Sequence, residues 1–511
     1  MSEQTNNKTI AKNTIMLYTR MLLTMSIGLF TSRAILQILG VTDYGIYQAV
    51  GGVVGFMSFI NGALATGTSR FLTFELGKGN HTRLKNTFST TLTIHIALAV
   101  FIVIVAETVG LWFLYNKLVI PEDRFDAAVI CFHLSILSSV MYVTQAPYSA
   151  AIIAHEKMGL YAYVSIADVV LRLAIVYMLC IGNFDKLVLY AVLSLTVSIG
   201  MQLFYRIYCV KYFPETKYVF VYDKTILKEI GKFSGWSLLG NLSIALSNQG
   251  ILLLLNMFFA PTVVAARAIS LQVNGYINTF VNNFRTAVNP QIVKKYAAGD
   301  FIGHKSLLIQ STKYSFFLLY MISLPVLFTT ESLLHLWLGV VPNYTVVFTQ
   351  LIIVQSLFSV IDSSLYMALN AKGDLKLNAL ISPAIGFIAF PVIYVLFKCG
   401  YSPVALSWAY LIVYVLLGCI IKPILLIKVV GYKLTDFIPM FTSCLKVIIM
   451  SLPIPLLYSF SDFRITNIEL VNSFVMATIS AFSAIASIWY FGLDKNTRFK
   501  LISFIVSKIK R

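Results

Sequence analysis

Apolar segments of about 20 residues or more recur along almost the whole chain, with short polar stretches between them. A helix of this length crosses the ~30 Å hydrocarbon core of a bilayer, whereas the strands of outer-membrane barrels are shorter and alternate in polarity. The composition agrees, because 58% of the 511 residues are hydrophobic and only 12% are charged. The sequence therefore predicts an all-α polytopic membrane protein.

The hydropathy pattern predicts fourteen transmembrane helices, arranged as two six-helix lobes plus two C-terminal helices. The predicted spans are 14–37, 46–71, 87–115, 127–151, 160–180, 187–210, 234–258, 262–288, 310–330, 344–369, 377–397, 402–427, 438–460 and 467–491. The longest internal polar stretch follows span six and is interpreted as a linker between the lobes. The resulting domains are an N-lobe at 1–210, a cytoplasmic linker at 211–232, a C-lobe at 233–433, and helices 13 and 14 with a basic tail at 434–511.

The two lobes repeat the same order of features. The stretches "LGKGNHTRLKNTFST" and "YAAGDFIGHKSLLIQ" each contain a Gly-Asn or Gly-Asp turn, then a basic stretch and a new apolar span. Because each lobe has six spans, both lobes have the same topology. This is the parallel-repeat arrangement of transporters, which have a central site between the lobes.

Lysine and arginine placement predicts that both termini lie in the cytoplasm. The loops on the side of the termini carry most of the basic residues. The opposite loops contain only Lys117, Arg124, Lys186, Lys398 and Arg464. The same distribution explains the formal net charge of +18, since the basic residues are spread over membrane-proximal loops. No nucleic-acid partner is therefore expected.

The eighth predicted span carries the strongest polar stripe. At 100° per residue, seven of its polar side chains fall within about 120° of one another. They are Arg267, Ser270, Asn274, Asn278, Asn282, Arg285 and Asn289. A single arginine at the bilayer centre costs at least ~2.5 kcal/mol on the insertion scale, so this stripe should line a cavity or a helix interface.

Milder polar faces occur in spans one, two and seven. In span two, one face contains Gln48, Gly52, Gly55, Gly62, Thr66 and Arg70, and in span seven one face contains Ser234, Ser237, Asn241 and Asn248. Ordinary interhelical hydrogen bonds explain the face of span seven equally well. In span one, Arg20 and Arg33 point about 140° apart, and each could instead extend its long side chain to the lipid headgroups.

Two motifs and the arrangement of the spans resemble a known superfamily. The runs "LGVTDYGIYQAVGG" at 39–52 and "TSRFLTFELGKGN" at 68–80, with the 6+6+2 plan of spans, are similar to the multidrug/oligosaccharidyl-lipid/polysaccharide (MOP, MATE-like) exporters. Within this superfamily they most resemble Wzx-type O-antigen and exopolysaccharide flippases of the bacterial inner membrane. The resemblance implies a central cavity lined by helices 1, 2, 7 and 8. It also implies a polyprenyl-diphosphate-linked oligosaccharide as substrate, contact with membrane lipids, and polysaccharide polymerase machinery as a partner.

The arginines suit such a substrate, because the planar guanidinium pairs bidentately with phosphate oxygens and keeps its charge when desolvated. Arg20, Arg70 and Arg285 would lie toward the cytoplasmic half of the cavity, and Arg33 and Arg267 toward the outer half. The asparagines Asn274, Asn278 and Asn282 could bind sugar hydroxyls. No cofactor is expected, and the sequence lacks the phosphate-binding loop of P-loop ATPases.

Acidic residues inside the predicted spans are candidates for coupling to an ion gradient. Asp362 shares a stripe of span ten with other polar residues, so it could bind Na⁺ or carry a proton, or neighbouring helices could satisfy it. Asp168 and Arg172 are four residues apart in span five and are interpreted as a structural ion pair.

The sequence thus predicts a flippase rather than an enzyme. A membrane glycosyltransferase or polymerase is disfavoured, since it would need a sizeable outer loop with catalytic residues, and the largest outer loop covers only 116–126. A cation-coupled multidrug antiporter would be expected to have a cavity dominated by carboxylates. A flippase for the peptidoglycan lipid precursor has the same span count and a cationic cavity, so the residues alone do not exclude it.

Overall fold

The computed structural model describes residues 3–56, 58–155, 157–181, 183–221, 223–231, 242, 245–372, 376–461, 469–495 and 497–499. These residues form helices and connecting turns and contain no β-strand, which confirms the all-α prediction. In chain order the helices are α1 (Glu3–Phe56), α2 (Ser58–Gly77), α3 (His81–Val105), α4 (Leu111–Lys117), α5 (Phe125–Ala154), α6 (Met158–Met178), α7 (Lys186–Tyr212), α8 (Ile251–Phe258), α9 (Pro261–Ala297), α10 (Phe301–Leu338), α11 (Thr345–Lys372), α12 (Lys376–Lys398), α13 (Ala405–Val415), α14 (Lys422–Val430), α15 (Leu434–Ser451), α16 (Pro453–Phe460) and α17 (Glu469–Ser487). Short π-helical turns join α3 to α4 and α13 to α14.

Ten stretches of helix among the described residues are long and apolar enough to cross a membrane, by length and composition. They are Met21–Gly55, His81–Lys117, Glu122–Ala154, Lys186–Tyr212, Phe301–Leu338, Thr345–Lys372, Lys376–Lys398, Ala405–Val430, Leu434–Phe460 and Glu469–Gly492. The chain is therefore a multi-pass membrane protein. The number of fourteen spans stays a prediction.

The predicted spans without a counterpart of their own among these ten are spans two, five, seven and eight. Span two is helical within α1 and α2, span five within α6, and span eight within α9. Span seven is described at 242 and 245–258, and its polar-face residues Ser234, Ser237 and Asn241 lie outside the described residues. The polar stripe of span eight lowers the hydropathy of α9, so the side chains that point to function in this span also weaken its membrane-span signal.

The described chain forms two compact units. The first comprises Met1–Ala268 with Trp337–Asn343, and the second comprises Ile269–Leu336 with Tyr344–Arg511. In the first unit, α5 packs against α2, α3 and α7, and α1 packs against α6. In the second unit, one large apolar core joins α9, α10, α11, α14 and α15. The lobe and linker boundaries derived from the sequence stay predictions.

The same type of turn begins a helix in each unit, as the repeated Gly-Asn and Gly-Asp motifs predict. Gly79 and Gly299 have φ values of 69° and 76°, in the left-handed region that favours glycine. The side chain of Asn80 then accepts a hydrogen bond of 3.0 Å from the Arg83 amide, and that of Asp300 accepts one of 2.8 Å from the Gly303 amide. These bonds satisfy amides of the first helical turn in α3 and α10.

One arginine joins three turns of the first unit. Arg124, at the start of α5, donates to both carboxylate oxygens of Asp43, at 2.8 Å and 2.6 Å. It also donates to Asp185, the N-cap of α7, at 2.6 Å. The chain is kinked at Gly40, just before Asp43, between predicted spans one and two. The turns after spans one, three and five therefore meet.

Candidate functional site

The polar stripe of α9 forms a hydrogen-bonded interface with α11 inside the second unit. Asn278 donates from its side-chain nitrogen to the side-chain oxygen of Asn274 at 2.7 Å and to Ser356 Oγ at 3.3 Å. The Ser356 hydroxyl is also hydrogen-bonded to the Asn274 side-chain oxygen. The sequence predicted that this stripe lines a cavity or a helix interface. For Asn274 and Asn278, the structure shows the helix interface.

Arg285 continues the same interface two helical turns further along. Its two terminal nitrogens donate to the hydroxyl and the carbonyl oxygen of Ser363, at 2.8 Å and 2.5 Å. Ser363 follows Ser356 by seven residues, just as Arg285 follows Asn278, so α9 and α11 stay in contact over two turns.

The guanidinium of Arg285 is oriented by these bonds without being saturated by them. A guanidinium has five N–H donors, and the buried Nε of Arg285 has no hydrogen-bond partner. An arginine whose direction is set by its neighbours and which retains donors is well suited to bind an anionic group. Asn282, which lies between Asn278 and Arg285 on the stripe, is exposed.

Two other predicted arginine ligands belong to the first unit. Arg267 is only 2% exposed, so a permanently charged side chain is enclosed there. Arg33 is half-buried. One turn after it, the Gln37 side chain donates to the Leu338 carbonyl at 3.0 Å, within the same unit. The side chains of Arg20 and Arg70 lie outside the described part of the structure.

Asp362, the candidate for ion coupling, forms a salt bridge inside the second unit. Its carboxylate oxygen lies 3.0 Å from Lys422 Nζ, and the Lys422 side chain is only 2% exposed. The same ammonium donates to the side-chain oxygen of Asn378 at 2.5 Å and to Ser382 Oγ at 3.3 Å. Lys422 was not predicted as a site residue, because in the sequence it resembles the loop lysines near the end of span twelve. In the structure, Lys422 supplies the positive charge next to Asp362.

A second group of polar residues, not predicted as a site from the sequence, surrounds a cavity of about 450 Å³ in the first unit. Its lining residues come from α1, α5, α6 and α7, and they are Thr24, Tyr142, Gln145, Ser149, Ser165, Asp168, Val169, Arg172, Ser198, Met201 and Tyr205. The ion pair predicted between Asp168 and Arg172 is confirmed at 3.0 Å, and it lies in this wall.

The signal for this cavity was present in the sequence as a repeated spacing. Each of α5, α6 and α7 has lining residues at positions i, i+3 and i+7, which is one face of a helix, and α6 adds Val169 at i+4. The three sets are Tyr142, Gln145 and Ser149, then Ser165, Asp168 and Arg172, then Ser198, Met201 and Tyr205. Each set alone resembles an ordinary helix contact, so only their convergence identifies a cavity.

Comparisons with known proteins identify the fold. No protein-family model and no curated protein matches the sequence. Among solved structures, the lipid II flippase MurJ in an inward closed conformation is similar, with a TM-score of 0.65 and 12% identity, over 93% of this chain and 99% of MurJ.

Two MATE transporters show the same likeness. An inward-facing multidrug resistance MATE transporter of the MOP superfamily gives a TM-score of 0.63 and 14% identity, over 83% of this chain and 98% of its own. The Vibrio cholerae MATE transporter VcmN gives a TM-score of 0.57 and 16% identity, over 85% of this chain and 100% of its own. The chain has the fold that these proteins share. The resemblance to Wzx-type flippases stays a prediction.

Proposed function

We propose that this protein is a flippase that moves a polyprenyl-diphosphate-linked oligosaccharide, such as an O-antigen or exopolysaccharide repeat unit, from the inner to the outer leaflet of the bacterial inner membrane. Transport would occur by alternating access and without chemical conversion of the cargo. Both termini would lie in the cytoplasm. The fold supports transport in general, and the arginines support an anionic cargo.

The observation that carries the proposal is the environment of Arg285. Ser363 on α11 orients the guanidinium through one N–H of each terminal nitrogen, so the second N–H of each terminal nitrogen remains as a donor. A diphosphate offers several oxygens to such a group, whereas an organic cation would be repelled by it. Arg267, Arg33, Arg70 and Arg20 belong to the first unit, and each stays a diphosphate ligand predicted from the sequence.

The membrane potential would favour this direction of transport. Moving one negative charge outward across an inside-negative membrane gains ~2.3 kcal/mol per 100 mV, and a diphosphate with roughly two charges gains ~5 kcal/mol. Such a gain makes ATP unnecessary.

A cation-coupled multidrug antiporter is less well supported. Such a protein needs an intramembrane carboxylate that is available to a cation, and Asp362 is already paired with the buried ammonium of Lys422. A coupling role of Asp362 with Na⁺ or a proton would therefore require this ion pair to open.

A flippase for the peptidoglycan lipid precursor is the second candidate. The specific observation in its favour is the likeness to the lipid II flippase MurJ over nearly the full length of both chains. This cargo also carries a lipid-linked diphosphate, so the arginines would serve it equally well. The two candidates differ in the glycan.

The proposal is tested by deleting the gene and measuring the amount and sidedness of lipid-linked oligosaccharide together with the surface polysaccharide. We expect complete glycolipid to accumulate on the cytoplasmic face and the surface polymer to be lost. Arrest of peptidoglycan synthesis with intact surface polymer would replace the proposal by the second candidate. Normal levels of both polymers would contradict flipping of either glycolipid.

Complementation of the deletion strain then tests Arg285. Losing one charge-assisted contact to phosphate costs about 2 kcal/mol, so Arg285→Ala should reduce export at least about tenfold at an unchanged protein level. Arg206→Ala is the matched control, since Arg206 is exposed on α7. Normal export with Arg285→Ala would remove this residue from the site.

A further inference from the structure

The first-unit cavity, defined by the lining residues of α1, α5, α6 and α7 given above, has the chemistry of a site for an uncharged polar ligand. Nine of its eleven lining side chains are polar. Sites for apolar drug-like molecules are lined mainly by hydrophobic and aromatic side chains, with only a few polar groups. A cavity with this lining is therefore better matched to a ligand that carries many hydroxyl groups.

The charges in the cavity wall cancel each other. Arg172 Nε donates to Asp168 at 3.0 Å, and these two residues are the only charged ones among the lining side chains of this cavity. Because the carboxylate already has a cation beside it, a second cation gains little there, and an anion approaching Arg172 meets the negative charge of Asp168. The pair still offers acceptors and donors side by side, and a hydroxyl group can use both at once.

The hydroxyl and amide groups of the wall add further hydrogen-bond donors and acceptors. Ser149 and Ser198 donate to carbonyl oxygens of their own helices, at 3.0 Å and 2.9 Å, so their oxygen lone pairs remain as acceptors. Gln145 has both a donor and an acceptor group, and Tyr142 adds an aromatic face with a polar end. The side chains of Asp168 and Arg172 are 30% and 46% exposed, so the cavity is open to a ligand.

We infer that this cavity is a saccharide-binding site that holds a sugar of the cargo. The inference rests on the proposed function and deepens it. A volume of about 450 Å³ lies within the usual range of ligand pockets and is large enough for about one or two sugar rings. The diphosphate would be common to all cargoes, and this cavity would select among glycans.

The test measures binding of lipid-free sugars to the purified full-length protein in detergent, by calorimetry. The probes are the repeat-unit oligosaccharide released from the producing strain's surface polysaccharide, the disaccharide of peptidoglycan, and inorganic pyrophosphate. We expect saturable binding of the repeat unit that excess pyrophosphate does not displace. Binding of pyrophosphate alone, or of no saccharide, would overturn the inference.

Two variants and one matched control assign the binding to this cavity. Tyr142→Leu and Gln145→Leu should each weaken saccharide binding about tenfold, since each removes hydrogen-bonding groups from the wall. Tyr163→Leu should leave binding unchanged, because Tyr163 is 67% exposed, close to the 63% of Tyr142, but does not line the cavity. Equal binding by all three variants would also overturn the inference. Melting temperatures in detergent verify that each variant is folded, and Gln145→Asn replaces Gln145→Leu if the latter is not.

A failure of the saccharide-site inference can be distinguished from a failure of the proposed function. Arg285→Ala should reduce export at least about tenfold and keep saccharide binding, since Arg285 belongs to the second unit. If no saccharide binds but the deletion strain accumulates glycolipid, the inference fails and the proposed function stands. If only the peptidoglycan disaccharide binds, the cavity is a saccharide site and the cargo becomes that of the second candidate.

Discussion

At the scale of the residue, Arg285 and Lys422 of the second unit are two cations with different hydrogen-bonding environments. Arg285 makes hydrogen bonds only to Ser363 among the described contacts and has a buried Nε without a partner. Lys422, in contrast, has three oxygen-bearing neighbours, Asp362, Asn378 and Ser382. The first arrangement leaves capacity for a ligand. The second satisfies the ammonium and holds α11, α12 and α14 together.

The Lys422 cluster gives a stability prediction. Lys422→Met should destabilise the protein by about 3 kcal/mol, because it leaves the carboxylate of Asp362 without its cation in a low-dielectric environment. The double variant Lys422→Met with Asp362→Asn should recover most of this loss, since no unpaired charge remains. Thermal unfolding in detergent measures both effects. Equal stabilities of the single variant and the wild-type protein would show that the ion pair makes no net contribution.

At the scale of the element, the turns of the first unit depend on one charged group. Arg124 brings the start of α5 together with the turn in α1 and the N-terminus of α7. Asp185 also accepts hydrogen bonds from the Leu187 and Val188 amides, at 3.0 Å and 3.1 Å, which caps α7. A single carboxylate therefore both begins a helix and connects it to two others.

This arrangement predicts a pH dependence of stability. The hydrogen bond from Arg124 holds the pKa of Asp185 below its usual value, although partial burial opposes the shift. Since the folded-state pKa is lower than the unfolded one, the stabilisation is complete above about pH 4 and is lost as the pH falls through the folded-state pKa.

Asp185→Asn tests the prediction. It should lower the melting temperature at pH 7, and the difference from wild type should shrink as the medium is acidified below about pH 4. Asp223→Asn is a suitable control, because Asp223 also accepts hydrogen bonds from two backbone amides but makes no described ion pair. A difference between Asp185→Asn and wild type that does not change with pH would contradict the assigned role of the carboxylate charge.

At the scale of the whole molecule, the proposed cargo makes transport dependent on the membrane potential. In proteoliposomes, an imposed potential that is negative on the side of entry should increase net flipping of the lipid-linked oligosaccharide, and reversing its sign should decrease it. The physical reason is the gain of ~2.3 kcal/mol per charge per 100 mV for outward movement of an anion. A fluorescently labelled glycolipid and a reagent that reaches only the outer leaflet provide the measurement. Rates independent of potential would contradict electrogenic movement of the diphosphate.

Much of the fold and part of the site could be predicted from the sequence, because the signals involved are local. The apolar segments set the helices, and the 100° spacing placed Asn274, Asn278 and Arg285 on one face of α9. The Gly-Asn and Gly-Asp motifs located the turns before α3 and α10. All of these follow from residues close together in the chain, whose geometry within a helix or a turn is known in advance.

Only the tertiary structure decided which residues meet. It placed Ser356 and Ser363 against the stripe of α9, Lys422 against Asp362, and three polar helix faces around one cavity. Hydropathy and periodicity cannot supply this information, because they show that a helix has a polar face without showing which helix it packs against. In a membrane, where apolar surfaces are equally compatible with lipid and with one another, the choice of partner comes from close packing and hydrogen bonds between distant segments. The sequence by itself therefore determined a helical membrane protein with arginines inside its predicted spans, and the packing of the helices decided which of its polar residues form sites.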